Sequence, residues 1–213
     1  MKKILIFGLP RSGTTLLQIH LGQSLKIKGY SEPFSDCDYR NSIGDPYQWV
    51  STLSTGIIKV LSQNLDYVDL EKLITVGNFD CVVITRRANL TDLIISLYYA
   101  EQVVQQYHYT QIPNCILPFV FPLDFIENVM VPYRWYQTTL DNLNKKSIPY
   151  TVFDYDQYQA GASQTVAGIN FCLENETSYK IATISAKIRY DQICLNYNEV
   201  NTAINSITNE NNH

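Results

Sequence analysis

The sequence predicts an α/β fold of three layers, in which helices cover both faces of a central parallel sheet. Four short apolar runs, at residues 3–7, 57–61, 81–85 and 149–155, have the length and composition of buried strands. Stretches with helical periodicity lie between these runs. Strands that alternate with helices favour crossover connections, and such connections produce a parallel sheet.

The first unit of the chain reads as a strand, a glycine-containing loop and a helix. The strand is rich in Ile, Leu and Phe, as expected of a strand that is buried on both faces. Leu17, Leu21 and Leu25 then recur at intervals of four residues, which predicts an amphipathic helix over 14–28. Gly29 is the expected end of that helix.

The remaining helices are predicted from their apolar periodicity. They cover residues 68–74, 89–107, 124–144, 163–174 and 183–206. Asn89 is a suitable N-cap for the helix that follows it. Pro132 is expected to interrupt the helix in which it lies.

The chain has 213 residues, which suits one domain, and we place that domain at 1–205. Three prolines within 112–122 predict a lid or a variable loop there. Residues 206–213 have no packing pattern and are expected to fray.

Composition restricts the class of protein. The net charge of −4 argues against a nucleic-acid-binding protein, which would normally carry a basic excess. The five cysteines are scattered and form no CxxC pair, so we expect reduced thiols in a cytoplasmic protein. The first apolar stretch is too short for a signal peptide, and no membrane span is expected.

The segment GLPRSGTT, at residues 8–15, has the outline of a Walker A loop, GxxxxGK[ST]. Gly8 and Gly13 have the required spacing, and Thr15 occupies the Ser/Thr position. Thr14 stands where the lysine of such a loop belongs. Successive backbone N–H groups and a helix N-terminus can still form an anion-binding cradle.

The positive charge that the loop lacks is expected from Arg11. A planar guanidinium suits a pair of phosphate or sulfonate oxygens. The strand, loop and helix together predict a P-loop NTPase-like form of the α/β fold, with an anion bound at the loop.

A second group of cations follows another predicted strand, in CVVITRRANLTDLIISLYYA at 81–100. Arg86 and Arg87 end the strand, and Ser96 lies about two turns into the next helix. Cations at a helix N-terminus oppose the helix dipole, so their presence indicates an anionic ligand. Either arginine could contact it, and the register favours Arg87. A kinase would carry a magnesium-binding aspartate at this point instead.

The loop resembles the 5′-phosphosulfate-binding loop of sulfotransferases, which reads PKSGTT or PRSGTT after the first strand. The resemblance implies a donor, 3′-phosphoadenosine-5′-phosphosulfate (PAPS), and a product, adenosine 3′,5′-bisphosphate (PAP). It implies that the loop residues hold the 5′ end of the donor, namely Pro10, Arg11, Ser12, Gly13, Thr14 and Thr15.

The second segment is similar to the pattern R-x-N-L-x-x-x-x-x-S of bacterial trehalose-type and related carbohydrate sulfotransferases. Arg87, Asn89, Leu90 and Ser96 match it position for position. The resemblance implies that Arg87 and Ser96 bind the 3′-phosphate. The RKG segment of the cytosolic branch is absent, and residues 187–200 look instead like the C-terminal region of the carbohydrate branch.

The acceptor side is the least defined. GYSEPF, at 29–34, resembles the EPF-like segment of carbohydrate sulfotransferases, which implies Glu32 as the general base. His108 is the alternative base. Lys59, in the apolar run 57–61, could contact the sulfonate or the acceptor, or could extend to the surface.

The resemblance implies in-line transfer of a sulfuryl group to a hydroxyl of a carbohydrate or another small acceptor, without a metal ion. Arg11, Lys59 and Glu32 would be the catalytic residues. Two alternatives stay open. One is a P-loop nucleotide kinase with a degenerate Walker A loop, and the other is a non-catalytic nucleotide-binding protein.

Overall fold

A computed structural model describes residues 2–35, 41–105, 118–171 and 188–210. The strands in these residues are β1 (Lys3–Gly8), β2 (Gly29–Tyr30), β3 (Gly56–Leu61), β4 (Cys81–Arg86), β5 (Thr151–Asp154), β6 (Gln164–Val166) and β7 (Ile169–Phe171). The first five form one sheet in the order β2-β3-β1-β4-β5, and all its neighbouring strands run parallel. The parallel α/β fold predicted from the sequence is confirmed.

The helices connect and cover these strands. They are α1 (Thr14–Leu25), α2 (Pro46–Thr52), α3 (Leu70–Gly77), α4 (Leu90–Tyr98), α5 (Phe125–Lys145), α6 (Tyr155–Gln159), α7 (Tyr190–Ile193) and α8 (Tyr197–Glu210). A 3₁₀ turn follows β3 at Ser62–Asp66, and a π-helical turn at Tyr99–Val103 continues α4. Asn89 caps α4 as predicted, because its Oδ1 accepts a hydrogen bond from the Asp92 N–H at 3.0 Å.

The core has two parts, one on each face of the sheet. Along β1, Ile4 and Ile6 point to the face that α1, α6 and β6 cover. Leu5 and Phe7 point to the opposite face, which α3, α4, α5 and α8 cover. All four side chains are fully buried, so the alternation of β1 separates two packed layers of helices.

The central position of β1 determines where the predicted site residues meet. Gly8, the last residue of β1, lies opposite Leu61 of β3 on one side and Thr85 of β4 on the other. Because the strands are parallel, the segments that follow β1, β3 and β4 emerge at one edge of the sheet. Ligands of open α/β folds bind at this edge.

The end of α1 differs from the prediction. The helix stops at Leu25, and Lys26 adopts the left-handed conformation with a φ of 54°. The Lys26 N–H bonds to the Gln23 carbonyl and the Ile27 N–H to the Gly22 carbonyl, which is the Schellman pattern with lysine in the usual glycine position. Gly29 instead begins β2.

The helix predicted at 163–174 is wrong, because residues 164–171 form the antiparallel hairpin of β6 and β7. Ala167 and Gly168 connect the strands with φ values of 52° and 82°. Two positive φ angles in succession are the geometry of a type I′ turn. Alanine is an uncommon residue at the first of these positions, so the turn is hard to recognise in the sequence.

Two other helices also differ from expectation. Pro132 lies inside α5 without ending it, and Val129 and Tyr136 on either side are both buried in the core. The helix predicted at 183–206 is divided in its described part into α7 and α8. The chain between them extends, and the Leu195 N–H donates to the Phe119 carbonyl at 2.9 Å.

The ends of the predicted domain lie partly outside the described residues. Of the lid predicted at 112–122, the structure describes only 118–122. Of the tail predicted at 206–213, residues 206–210 belong to α8. None of the helices that the structure describes is long and apolar enough to cross a membrane.

Candidate functional site

The loop at residues 8–15 connects β1 to α1 through two residues in the left-handed region. Arg11 has a φ of 66°, and Gly13, the N-cap of α1, has a φ of 89°. Because Gly13 has no side chain, it cannot accept hydrogen bonds from the first turn of α1 as serine or aspartate would. The positive end of the helix dipole therefore faces the loop without an acceptor from its own N-cap.

The loop lies close against β4 at two positions, Ser12 and Gly8. The Ser12 hydroxyl donates to the Leu9 carbonyl at 2.7 Å and lies 2.6 Å from the Thr85 Oγ1 atom. A Cβ atom on Gly8 would lie 1.9 Å from that same Thr85 oxygen, so no other residue fits there. Ser12 is fully buried and is placed to shape the loop.

Lys59 comes from β3 and reaches the far end of the loop. Its Nζ atom donates to the Thr15 hydroxyl at 2.9 Å and lies 2.7 Å from the Glu32 Oε1 atom. The lysine side chain is 1% exposed, so the surface position left open by the sequence is excluded. A lysine on a neighbouring strand thus puts a positive charge beside the loop that has no lysine of its own.

Glu32 is held by more than this ion pair. Its second carboxylate oxygen, Oε2, accepts a hydrogen bond from the Ser35 hydroxyl at 2.9 Å. The Asn64 amide donates to the same hydroxyl at 3.0 Å, while its carbonyl oxygen accepts from the Leu61 N–H. The side chain of Glu32 is still 28% exposed, so its carboxylate is both oriented and accessible.

The two arginines after β4 have different environments. The Arg86 guanidinium is about half exposed and donates twice to Oδ2 of Asp154, from Nε at 3.0 Å and from a terminal nitrogen at 2.5 Å. Asp154 is its direct partner in the register of β4 and β5. The side chain of Arg87 is 5% exposed and turns toward the loop.

Arg87 is a buried cation with weak protein partners. A terminal nitrogen lies 3.5 Å from the Arg11 carbonyl, Nε lies 3.5 Å from Asp156, and the other terminal nitrogen lies 3.8 Å from Asp92. Both carboxylates are close enough for an ionic contact, yet within the described chain Nε has no hydrogen-bond partner. The guanidinium also lies 5.3 Å from the centre of the Tyr155 ring. Its donor capacity is therefore poorly used in the protein alone.

Arg11 and Ser96 meet on the same side of the loop. The Nε atom of Arg11 donates to the Ser96 hydroxyl oxygen at 3.0 Å. The Tyr190 hydroxyl donates to that same oxygen, also at 3.0 Å. Ser96 is almost fully buried. Its hydroxyl is held by Arg11 of the loop at 8–15 on one side and by Tyr190 of α7 on the other.

The structure thus groups most of the predicted site residues around the loop. Glu32, Lys59 and Thr15 form one cluster, and Arg11, Arg87 and Ser96 form the other. Pro10 and Thr14 are buried within the loop. His108 lies outside the described residues. Among the residues that the structure describes, no group of three His, Cys, Asp or Glu side chains could hold a metal ion.

Three contributors were missed by the sequence analysis. Ser35 and Asn64 orient Glu32, and Asn64 lies three residues beyond the carboxyl end of β3, which is a positional signal for a site residue. Tyr190 has no such local signal, because it meets Ser96 across 94 residues of chain.

Asp154 supports the site from β5, and its carboxyl is expected to make the free energy of unfolding depend on pH. Burial alone would raise the pKa of its carboxyl, but the Gln157 N–H and the Arg86 guanidinium outweigh burial and lower that pKa. A lowered carboxyl pKa stabilises the fold above the unfolded-state value near 4, and this contribution is lost as the pH falls through the folded-state value. Asp154→Asn is expected to reduce the free energy of unfolding by about 1–2 kcal/mol at pH 7.

Urea unfolding at pH 7 and at pH 3 measures this effect. The difference in the free energy of unfolding between wild type and Asp154→Asn should be smaller at pH 3 than at pH 7. Asp191→Asn is the matched control, since the pKa of Asp191 is lowered by Arg189 in an exposed pair, and this variant should stay close to wild type. A difference for Asp154→Asn that is the same at both pH values would contradict the assignment.

A scan against models of known protein families finds no match for this chain, and a search of the curated proteins finds no similar sequence. The residues of the site are therefore the basis for assigning a function.

Proposed function

We propose that the chain is a PAPS-dependent sulfotransferase that acts on a hydroxyl of a carbohydrate or another small acceptor, in a P-loop NTPase-like α/β domain. The observation that carries this proposal is the presence of a cation on each side of the loop at 8–15. Lys59 contacts Thr15, and Arg87 lies against the main chain of Arg11. A donor with a phosphosulfate and a separate 3′-phosphate needs positive charge at two such places.

The cluster of Arg87 and Ser96 fits the 3′-phosphate. A buried guanidinium with poorly used donors gains most from an anion that can accept several hydrogen bonds. The Ser96 hydroxyl lies on the same side of the loop and adds a neutral donor. Asp92 and Asp156, which lie near the guanidinium at 3.8 and 3.5 Å, keep it oriented until the anion binds.

The cluster of Glu32, Lys59 and Thr15 fits the reacting end. The donor supplies an activated sulfonate, whose bond to the bridging phosphate oxygen breaks as the acceptor oxygen bonds to sulfur. Glu32 accepts the proton of the acceptor hydroxyl. Lys59 stabilises the negative charge that develops on the leaving oxygen at the loop. Ser35 keeps the carboxylate of Glu32 in a fixed orientation.

Calorimetric titration tests the donor site without knowledge of the acceptor. We expect PAP to bind with no requirement for Mg²⁺ and more tightly than ATP. Arg87→Ala should weaken PAP binding roughly 10- to 100-fold, the range of hydrogen bonds to a charged group. Arg86→Ala is the matched control, because the neighbouring arginine is bound to Asp154 and should leave the PAP affinity nearly unchanged.

The alternatives give different results in the same titrations. Binding of ATP with Mg²⁺ and none of PAP would replace the proposal with a nucleotide kinase. PAP binding without transfer of labelled sulfonate from PAPS to any of a panel of hydroxyl acceptors would favour a non-catalytic nucleotide-binding protein.

A further inference from the structure

The hydroxyl of Ser96 has an unusual set of partners. Its oxygen accepts one hydrogen bond from the Arg11 Nε atom and one from the Tyr190 hydroxyl, both at 3.0 Å. A serine hydroxyl has two acceptor positions and one proton to donate. Both acceptor positions are therefore taken by donors that come from other parts of the chain.

The remaining proton of Ser96 has no acceptor in the described part of the chain. A serine inside a helix commonly donates to the carbonyl four residues earlier, and Ser96 makes no such bond to Asp92 among the described contacts. The serine is also 2% exposed, so bulk water does not satisfy it. Within the described residues, this proton is therefore available for a hydrogen bond to a ligand beside Arg11.

We propose that Tyr190 is a positioning residue for the 3′-phosphate, which it does not itself contact, and that it acts by fixing the Ser96 hydroxyl as a hydrogen-bond donor. This inference rests on the proposed function and adds the segment at α7 to the nucleotide site. Tyr190 is nearly fully buried, and its ring packs at a 70° angle against Tyr99, so its hydroxyl is held in place. If Tyr190 did not donate, the Ser96 hydroxyl could rotate and satisfy a protein carbonyl instead.

A double-mutant cycle with two nucleotides tests the inference. The variants are Tyr190→Phe, Ser96→Ala and the double variant, and the ligands are PAP and adenosine 5′-monophosphate, which lacks the 3′-phosphate. Tyr190→Phe should weaken PAP binding about three- to tenfold, the range of one neutral hydrogen bond. It should leave binding of the monophosphate unchanged. In the Ser96→Ala background, Tyr190→Phe should have no further effect on PAP.

Phenylalanine fills the space of the tyrosine ring, and thermal unfolding checks that each variant is folded. Tyr136→Phe is the matched control, since it also removes a buried hydroxyl, which donates to the Thr85 carbonyl at 3.1 Å. It should not change the ratio of the two affinities.

The outcomes separate the two proposals. A wild-type protein that does not prefer PAP over the monophosphate overturns both of them. If that preference is present, then an unchanged ratio in Tyr190→Phe, or additive effects in the cycle, overturns the role of Tyr190 alone.

Discussion

Replacing Lys59 by methionine is expected to reduce sulfuryl transfer by at least about a hundredfold, which is the effect of removing one donor that stabilises transition-state charge. The affinity for PAP should also fall, because the leaving oxygen that Lys59 is proposed to stabilise belongs to the 5′-phosphate, which PAP retains. The lysine Nζ atom is 2.9 Å from the Thr15 hydroxyl and 2.7 Å from Glu32, so it lies at the end of the loop where the proposal places the reacting group.

The loss of transfer should not result from unfolding. Methionine is about as long as lysine and fits a side chain that is 1% exposed on the apolar face of β3. Glu32 loses its ion-pair partner, but it is partly exposed and keeps its bond to Ser35. The free energy of unfolding should therefore stay within about 1 kcal/mol of wild type.

Lys3→Met is the control for this substitution. Lys3 is also a buried strand lysine, whose Nζ atom donates to the Val50 carbonyl at 2.6 Å. It begins β1, at the edge of the sheet away from the loop. Transfer from labelled PAPS should be normal in Lys3→Met. An equal loss of transfer in both variants, or normal transfer in Lys59→Met, would remove Lys59 from the proposed mechanism.

The features that could be predicted from the sequence are local ones. The loop at 8–15 lies between a buried strand and an amphipathic helix, and both are set by residues within a few positions of it. Asn89 could be recognised as an N-cap because its partner is Asp92. Arg87 was singled out by its position after a predicted strand, Lys59 by its place in the predicted strand 57–61, and Glu32 by the resemblance of the segment GYSEPF.

The pairings within the site could not be predicted, because they join distant parts of the chain. Asp154 binds Arg86 across 68 residues, while the adjacent Arg87 turns toward the loop. The ion pair of Lys59 and Glu32 depends on the register of β2 and β3, because Glu32 follows β2 and Lys59 lies in β3. Arg11, expected at the reacting end of the donor, donates its Nε proton to Ser96 on the other side.

Gly13→Ala is expected to weaken PAP binding by at least about a hundredfold and to lower the free energy of unfolding by about 2–4 kcal/mol. Two effects contribute to these losses. An alanine at a φ of 89° is strained, and its Cβ atom would lie 2.6 Å from the Tyr155 ring. Tyr155 packs beside the Arg87 guanidinium, so a displaced ring would also disturb the cation assigned to the 3′-phosphate.

Gly161→Ala separates the effect of backbone strain at a positive φ from the effect of the contact with the Tyr155 ring. Gly161 has a φ of 86°, nearly the same as Gly13, but a Cβ atom there would meet nothing within 4 Å. Its replacement should lower stability by about 1–2 kcal/mol and leave PAP binding unchanged. Calorimetry and urea unfolding of both variants then isolate the contribution of Tyr155. If Gly13→Ala bound PAP as tightly as Gly161→Ala, the nucleotide would not depend on the geometry of the loop, and its binding site would have to lie elsewhere.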